Sequence, residues 1–211
     1  CNEENLTGAI TVNQINTIVF DAASSNFNSA SPIVCEGETL DLKFNLGDGA
    51  TNASVIGLPD GLTVGVNTGV FTIGGTLSTN ETSSKTYNYQ ITTTGSECSE
   101  IFYGQIVVNP DHKIELSSIG GSDSQSFCEN TPMPVNIEYF LSEGATNYVI
   151  TGLPSGLQHQ LVGNTITISG TPNESITQDQ VFNYTITTTG NTCIVDALSL
   201  IHISEPTRRY S

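Results

Sequence analysis

The residues of this 211-residue chain best equipped for covalent chemistry are its five cysteines, Cys1, Cys35, Cys98, Cys128 and Cys193. A thiol can serve as nucleophile, metal ligand or disulfide partner, and spacing distinguishes these uses. None of the three histidines, His112, His159 and His202, has a cysteine or second histidine at metal-ligand spacing, so no zinc site is expected. Nucleophile-elbow, phosphate-loop and HExxH patterns are absent. The carboxylate pairs Glu36/Glu38 and Glu97/Glu100 have the chemistry for acid–base hydrolysis, but they flank cysteines where solvated rim charges are the ordinary reading. The sequence therefore offers no catalytic residue and calls for no cofactor. Calcium stays open, because Asp48, Asp60, Asp111, Asp123 and Glu143 fall in loops or at a segment join, although no DxDxDG-type run frames them.

What must position these groups is a repeat. Gly49-Ala-Thr-Asn52 recurs as Gly144-Ala-Thr-Asn147, and Gly57-Leu-Pro-Asp-Gly-Leu62 as Gly152-Leu-Pro-Ser-Gly-Leu157. Phe71-Thr-Ile-Gly-Gly-Thr76 answers Ile166-Thr-Ile-Ser-Gly-Thr171, and Tyr87-Asn-Tyr-Gln-Ile-Thr-Thr-Thr-Gly95 answers Phe182-Asn-Tyr-Thr-Ile-Thr-Thr-Thr-Gly190. All four matches sit at a single offset of 95 residues. Gly8-Ala-Ile-Thr-Val-Asn13 likewise matches Gly104-Gln-Ile-Val-Val-Asn109. The expected organisation is the last strand of a preceding repeat over 1–13, repeat one over 14–109, and repeat two over 110–199, with Pro110 ending the ladder at the join. Residues 200–211 bring in Arg208 and Arg209, the first arginines of the chain, and resemble translated adapter read-through, so they are set aside as a non-native tail.

Within each repeat the pattern is that of strands. Leu40, Leu42 and Phe44 alternate with Asp41 and Lys43, and Val135, Ile137 and Tyr139 do the same in repeat two. The Asn-Tyr-x-Ile-Thr-Thr-Thr runs carry β-branched and aromatic residues suited to a pleated face. Leu58-Pro-Asp-Gly61 has the composition of a type I turn with Gly in its fourth position, and Gly163-Asn164 that of a two-residue hairpin. About seven short strands per repeat, with turns every 8–12 residues, predict an all-β chain of two tandem immunoglobulin-like sandwiches from a longer array.

Repeat phase also sorts the cysteines. Cys35 and Cys128 hold one equivalent position, before the second main strand; Cys98 and Cys193 hold another, past the Thr-Thr-Thr-Gly segment, and Cys1 falls in the same class. Each full repeat owns one of each, which predicts Cys35–Cys98 and Cys128–Cys193 bridges and leaves Cys1 unpaired by truncation. Each bridge would close a loop of about 65 residues and constrain the unfolded chain by about 4 kcal/mol. A cross-repeat Cys98–Cys128 bond is the alternative. Any of these places the chain in an oxidising, extracytoplasmic compartment.

The run Cys128…Gly144-Ala-Thr-Asn…Gly152-Leu-Pro-Ser-Gly-Leu…Ile168-Ser-Gly-Thr-Pro172…Phe182-Asn-Tyr-Thr-Ile-Thr-Thr-Thr-Gly…Cys193 resembles the immunoglobulin-like repeats of giant Bacteroidetes surface proteins, many of them adhesin-like or of the gliding-motility type. Repeat one lacks the proline of the second element, at Gly74-Gly-Thr-Leu77. The resemblance implies an array on the cell surface and implies no catalysis. Charge agrees with a partner list confined to neighbouring repeats and a surface glycan or protein. With 21 acids against 5 bases and a net charge of −16, phosphate backbones and anionic bilayers are repelled. No apolar run approaches the ~18 residues of a membrane span. The expected function is a structural spacer; the alternative is a ligand-binding module, for which exposed Phe102, Tyr103 or Tyr148 on one face would be the sign.

Overall fold

A strand that alternates apolar and polar residues must bury one face and wet the other, and this rule builds both halves of the molecule. The computed structural model describes residues 7–193 and the backbone of 196–200. Cys1 and residues 201–211, including His202 and the arginines, lie outside the described residues. Chain contacts divide the molecule into two units, Cys1–Thr79 with Lys85–Val108, and Asn80–Ser84 with Asn109–Ser211. No helix forms among the described residues.

The first unit holds β1 (Thr17–Phe20), β2 (Ile33–Cys35), β3 (Thr39–Gly47), β4 (Asn52–Ile56), β5 (Leu62–Asn67), β6 (Val70–Thr76), β7 (Lys85–Thr94) and β8 (Ile101–Asn109). They form two four-stranded sheets of order β1-β3-β6-β5 and β2-β8-β7-β4. Leu40, Leu42 and Phe44 of β3 are buried, while Asp41 and Lys43 on the opposite face make an ion pair at 3.0 Å. Phe71 and Ile73 of β6, Tyr89 and Ile91 of β7, and Ile106 and Val108 of β8 complete the core between the sheets. Phe44 stands at its centre, with ring centroids 5.4 Å from Phe20, 6.3 Å from Phe71 and 5.2 Å from Phe102. Fully burying a side chain of this size stabilises by about 1.5–3 kcal/mol. Residues 7–13 belong to no strand, and Ile10 and Val12 are exposed.

The second unit holds β9 (Lys113–Leu116), β10 (Ile137–Ser142), β11 (Ala145–Thr151), β12 (Leu157–Val162), β13 (Thr165–Gly170), β14 (Asn183–Gly190) and β15 (Asp196–Leu200). Its sheets run β12-β13-β10-β9 and β11-β14-β15, and its own core gathers Ile137, Tyr139, Leu141, Ile166, Ile168, Tyr184 and Ile186. Two expectations need correction here. Val135 is not in the strand and is 42% exposed; Leu141 takes the third inward position instead. The reason lies in Pro134, which has no N–H to give a ladder, so the backbone of Val135 is held by the Gln125 side chain at 2.8 and 3.3 Å. The Gly-Leu-Pro turns are also phased differently. Leu157 N donates to Pro154 O at 3.3 Å and Gly156 has φ +89°, so the glycine is the third residue of the turn, where a type II turn needs positive φ. The hairpin at Gly163-Asn164 forms as expected, with Val162 opposite Thr165.

The two cores solve one problem differently. Tyr89 and Tyr184 occupy equivalent places, each 1% exposed, and each hydroxyl needs a partner. In the second unit Tyr184 and Tyr139 join their hydroxyls across the sheets, with their rings 6.5 Å apart. Position 44, the counterpart of 139, is phenylalanine, and the Tyr89 hydroxyl donates instead to the Ala30 carbonyl at 2.6 Å. Burial pushes the Tyr89 hydroxyl well above the usual phenol range.

Gly156 also lies where a Cβ would come 2.1 Å from the Thr171 carbonyl oxygen. Positive φ and that clash act together, so Gly156→Ala is expected to cost more than about 1 kcal/mol, read as a lower urea midpoint at unchanged slope.

Candidate functional site

Cys98 sits in the β7–β8 connection, and its equivalent Cys193 follows β14. Each is fastened in the same way. The Cys98 carbonyl accepts from Asn16 N at 2.9 Å, and its Sγ lies 3.9 Å from the Asn13 carbonyl. The Cys193 carbonyl accepts from His112 N at 3.1 Å, and its Sγ lies 3.7 Å from the Asn109 carbonyl. Cys35 ends β2, where its N–H donates to the Glu38 carboxylate at 3.0 Å. Cys128 occupies a loop turn, its carbonyl accepting from the Thr131 hydroxyl at 2.6 Å.

The expected bridges within repeats are not formed, and neither is a Cys98–Cys128 bond. Cys98 and Cys128 are free thiols, while Cys35 and Cys193 are each disulfide-bonded. The physical reason is that a repeat's two cysteines lie at opposite ends of its sandwich. Val107 N donates to Pro32 O at 3.0 Å, so β2 runs beside the far half of β8, whereas Cys98 precedes the start of β8. The intervening strand spans about 20 Å, against the ~7 Å that a disulfide allows between Cα atoms. In the second unit Cys128 lies near the end of β13, since Asn130 N donates to Pro172 O at 2.8 Å. Cys193 lies by His112 at the start of β9, and β9 pairs with the far end of β10. Equivalence between repeats was readable from the sequence; the end of the sandwich each position reaches was not.

Of the carboxylates nominated for hydrolysis, Glu36 and Glu38 are spent on the fold, whereas Glu97 and Glu100 are exposed. Glu36 accepts from the Thr79 N–H and hydroxyl, and its equivalent Glu129 accepts from Ile176 N at 3.3 Å. Glu38 is the acceptor for Cys35. Asp48 and Glu143 fall at equivalent positions in the β3–β4 and β10–β11 turns, both with positive φ of 53° and 57°. Asp48 accepts from Gln14 Nε2 at 2.8 Å, and Glu143 lies 3.8 Å from Lys113 Nζ. The Asp60 backbone carbonyl accepts from Ser78 N at 3.2 Å; Asp111 is exposed and Asp123 half-buried.

The aromatic residues separate as neighbours on strands should. Phe102 turns inward onto Phe44, and Tyr103 turns outward, 70% exposed. Tyr148 is held by its hydroxyl to His159 Nδ1 at 2.6 Å, edge to face. The outer face of the second sheet of unit one thus carries Tyr103 in register with Gln90, and Gln90 with Ile56, next to Ile101 opposite Thr92. One aromatic ring stands there, not a cluster.

Two separately cored β-sandwiches, punctuated by Gly-Leu-Pro turns, define an immunoglobulin-like module, and the chain is an all-β protein of this class. A family model described as "Putative Ig domain" matches residues 4–103. Among solved structures an I-band fragment of titin aligns with a TM-score of 0.50 at 12% identity, covering 83% of this chain and 63% of that one. A Glu-to-Ala variant of a three-Ig titin segment aligns with a TM-score of 0.50 at 11% identity, with the same coverage. The chain therefore spans 63% of the length of these structures, and the likeness is one of fold. No curated protein sequence matches it.

Two loop carboxyls tie acidity to stability. Hydrogen bonds from Ser24, and from Asn45 and Ala23, hold the Asp21 carboxyl below its ordinary value; Ser155 does the same for Glu174. A carboxyl whose pKa falls on folding stabilises above its unfolded value, near pH 4, and that contribution disappears as pH drops through the lowered folded value. The urea midpoint is expected to fall between pH 5 and about pH 2.5, and the Asp21→Asn, Glu174→Gln double variant to show a smaller fall.

Proposed function

We propose that the chain is a non-catalytic stalk segment of an extracellular cell-surface protein, whose modules hold another domain at a distance from the surface. The observation that carries this reading is that several of the groups able to do chemistry are occupied in holding the fold. Glu36, Glu38 and Glu129 receive backbone N–H groups, Phe102 is part of the core, and Tyr148 is tied to His159. Each repeat also gathers its own core, as beads in an array do. Disulfide-bonded Cys35 and Cys193 favour an oxidising compartment, and the net charge of −16 disfavours nucleic acid and anionic lipid. The resemblance of the Gly-Leu-Pro and Ser-Gly-Thr-Pro elements to adhesin-like repeats of Bacteroidetes surface proteins supports a place in such an array.

A second reading, a module that binds a surface glycan or protein, rests on the outer face bearing Tyr103 at 70% and Ile56 at 67% exposure. The two readings part on one experiment. Residues 14–109 expressed alone are expected to be monomeric, to unfold cooperatively, and to bind nothing on a glycan array with or without calcium. Micromolar binding to one glycan class, lost in Tyr103→Ala, would replace the stalk by a lectin-like module. A large calcium-dependent rise in Tm would instead establish a metal site in the loops.

A further inference from the structure

We infer that Asn80 and Asn173 are acceptor sites for N-linked glycan, taken from a lipid-linked oligosaccharide donor. The acceptor signal is an Asn-x-Ser/Thr triplet with any residue but proline in the middle. Such triplets begin at Asn5, Asn52, Asn80, Asn173 and Asn183. Asn5 lies outside the described residues. Asn52 and Asn183 lie inside β4 and β14, held in ladders opposite Thr94 and Leu200. Asn80-Glu-Thr82 and Asn173-Glu-Ser175 instead fall in the loops that follow β6 and β13, outside any strand.

The first ground is that both loops hold the same triplet but not in the same frame. Elsewhere equivalent residues of the two repeats lie 95 apart, whereas these two asparagines lie 93 apart. A residue that the strand frame requires keeps its place in that frame. Backbone conformation does not account for the shared asparagine either. Asn80 has φ +56°, in the left-handed region that asparagine tolerates, but Asn173 is not among the positive-φ residues. What the two loops have in common is the triplet, and with it the chemistry of an amide beside a hydroxyl.

The second ground is how each triplet is held. Its neighbour in the chain is anchored by the glutamate that follows a cysteine. Glu36 accepts from the N–H and hydroxyl of Thr79, the residue before Asn80. Glu129 accepts at 3.3 Å from the N–H of Ile176, the residue after Ser175. Asn173 N also donates to Ser155 O at 2.9 Å, and the Glu174 carboxylate accepts from Ser155 N at 2.8 Å. The loop backbone is thus fixed while the reacting groups are not. Asn80, Thr82, Asn173 and Ser175 are exposed, the middle glutamates are half-buried, and neither asparagine side chain has a hydrogen-bond partner among the described residues. Asn26, Asn109 and Asn191, by contrast, spend their side chains within the fold. A glycan at Asn80 or Asn173 displaces no bond of the fold.

The transfer is a substitution at carbon. The asparagine Nδ2 attacks the anomeric carbon of the sugar, forming an N–C bond, and the bond from that carbon to the diphosphate oxygen breaks. The lipid diphosphate leaves with the electron pair, and one amide proton passes to a base of the transferring enzyme. Nothing is oxidised or reduced. The inference rests on the extracytoplasmic placement proposed above, where such donors are used.

The test uses the full chain with Asn5→Gln, secreted by a eukaryotic host. It is expected to carry two glycans, and their release by peptide N-glycosidase in heavy-oxygen water to label positions 80 and 173 and neither 52 nor 183. Thr82→Ala and Ser175→Ala are each expected to remove one glycan, and Thr82→Ser to retain it. A secreted chain unmodified at Asn80 or Asn173 would overturn the inference and leave the extracytoplasmic reading standing. Glycan at Asn52 or Asn183 would overturn it too, because placement in a loop would then decide nothing. With donor synthesis blocked by tunicamycin, the Thr82→Ala, Ser175→Ala double variant is expected to keep the parent's Tm. A fall of more than about 4 °C would assign these hydroxyls to the fold instead of to the glycan.

Discussion

Each sandwich is held shut by one aromatic contact between its sheets, Phe44 on Phe102 in the first unit and Tyr139 on Tyr184 in the second. A two-layer β fold has no helix to cover its inner faces, so whatever fills the gap between the sheets sets their spacing and stacking. Leu40, Leu42 and Ile73 line up beside Phe44 only because β3 and β6 are in register there, Leu42 opposite Ile73 and Phe44 opposite Phe71. Truncating such a ring removes transfer energy and leaves a cavity, a loss of about 3–5 kcal/mol, a sizeable part of what a domain of this size has.

Close packing extends to places with no side chain at all. Gly104 faces Tyr89 across the β7–β8 ladder, and a Cβ there would come 2.2 Å from the tyrosine ring. The ring thus lies directly on the backbone of its neighbour. A polar group is costly to bury unbonded, and the half-buried carboxylates beside the cysteines are bonded. Glu36 and Glu129 act as acceptors for loop backbone beside the cysteines rather than as reagents. Glu36 and Glu38, which look poised for hydrolysis in a linear reading, instead accept backbone N–H groups of the fold.

The strand cores were legible because period-2 alternation acts locally: Leu40, Leu42, Phe44, Ile137 and Tyr139 all lie where the pattern puts them. Val135 was misread because an apolar residue after proline continues the alternation on paper while the ladder has not begun. The turn phase was misread because composition gives Pro and Gly without saying which residue opens the turn. The cysteine pairing failed for a larger reason. Repeat phase says which residues are equivalent, but distance across a sandwich depends on which strand pairs with which, and the placement of β2 beside β8 is a long-range fact. Of the candidate binding residues, only Tyr103 proved open to solvent, since neighbours on a strand face opposite ways.

The divergence between Phe44 and Tyr139 bears on how such genes can change. Nearly identical runs such as Asn88–Thr94 and Asn183–Thr189 invite unequal crossing-over between copies. An exchange within those runs would carry Ala30 and Phe44 together, so the tyrosine inherited downstream would still meet a complete set of partners. An exchange between residues 30 and 44 would separate the carbonyl from the phenylalanine it accompanies and leave a buried hydroxyl to find another acceptor. Recombination can therefore lengthen or shorten the array through its most repetitive strand, whereas the loop ahead of β3 descends with its own repeat.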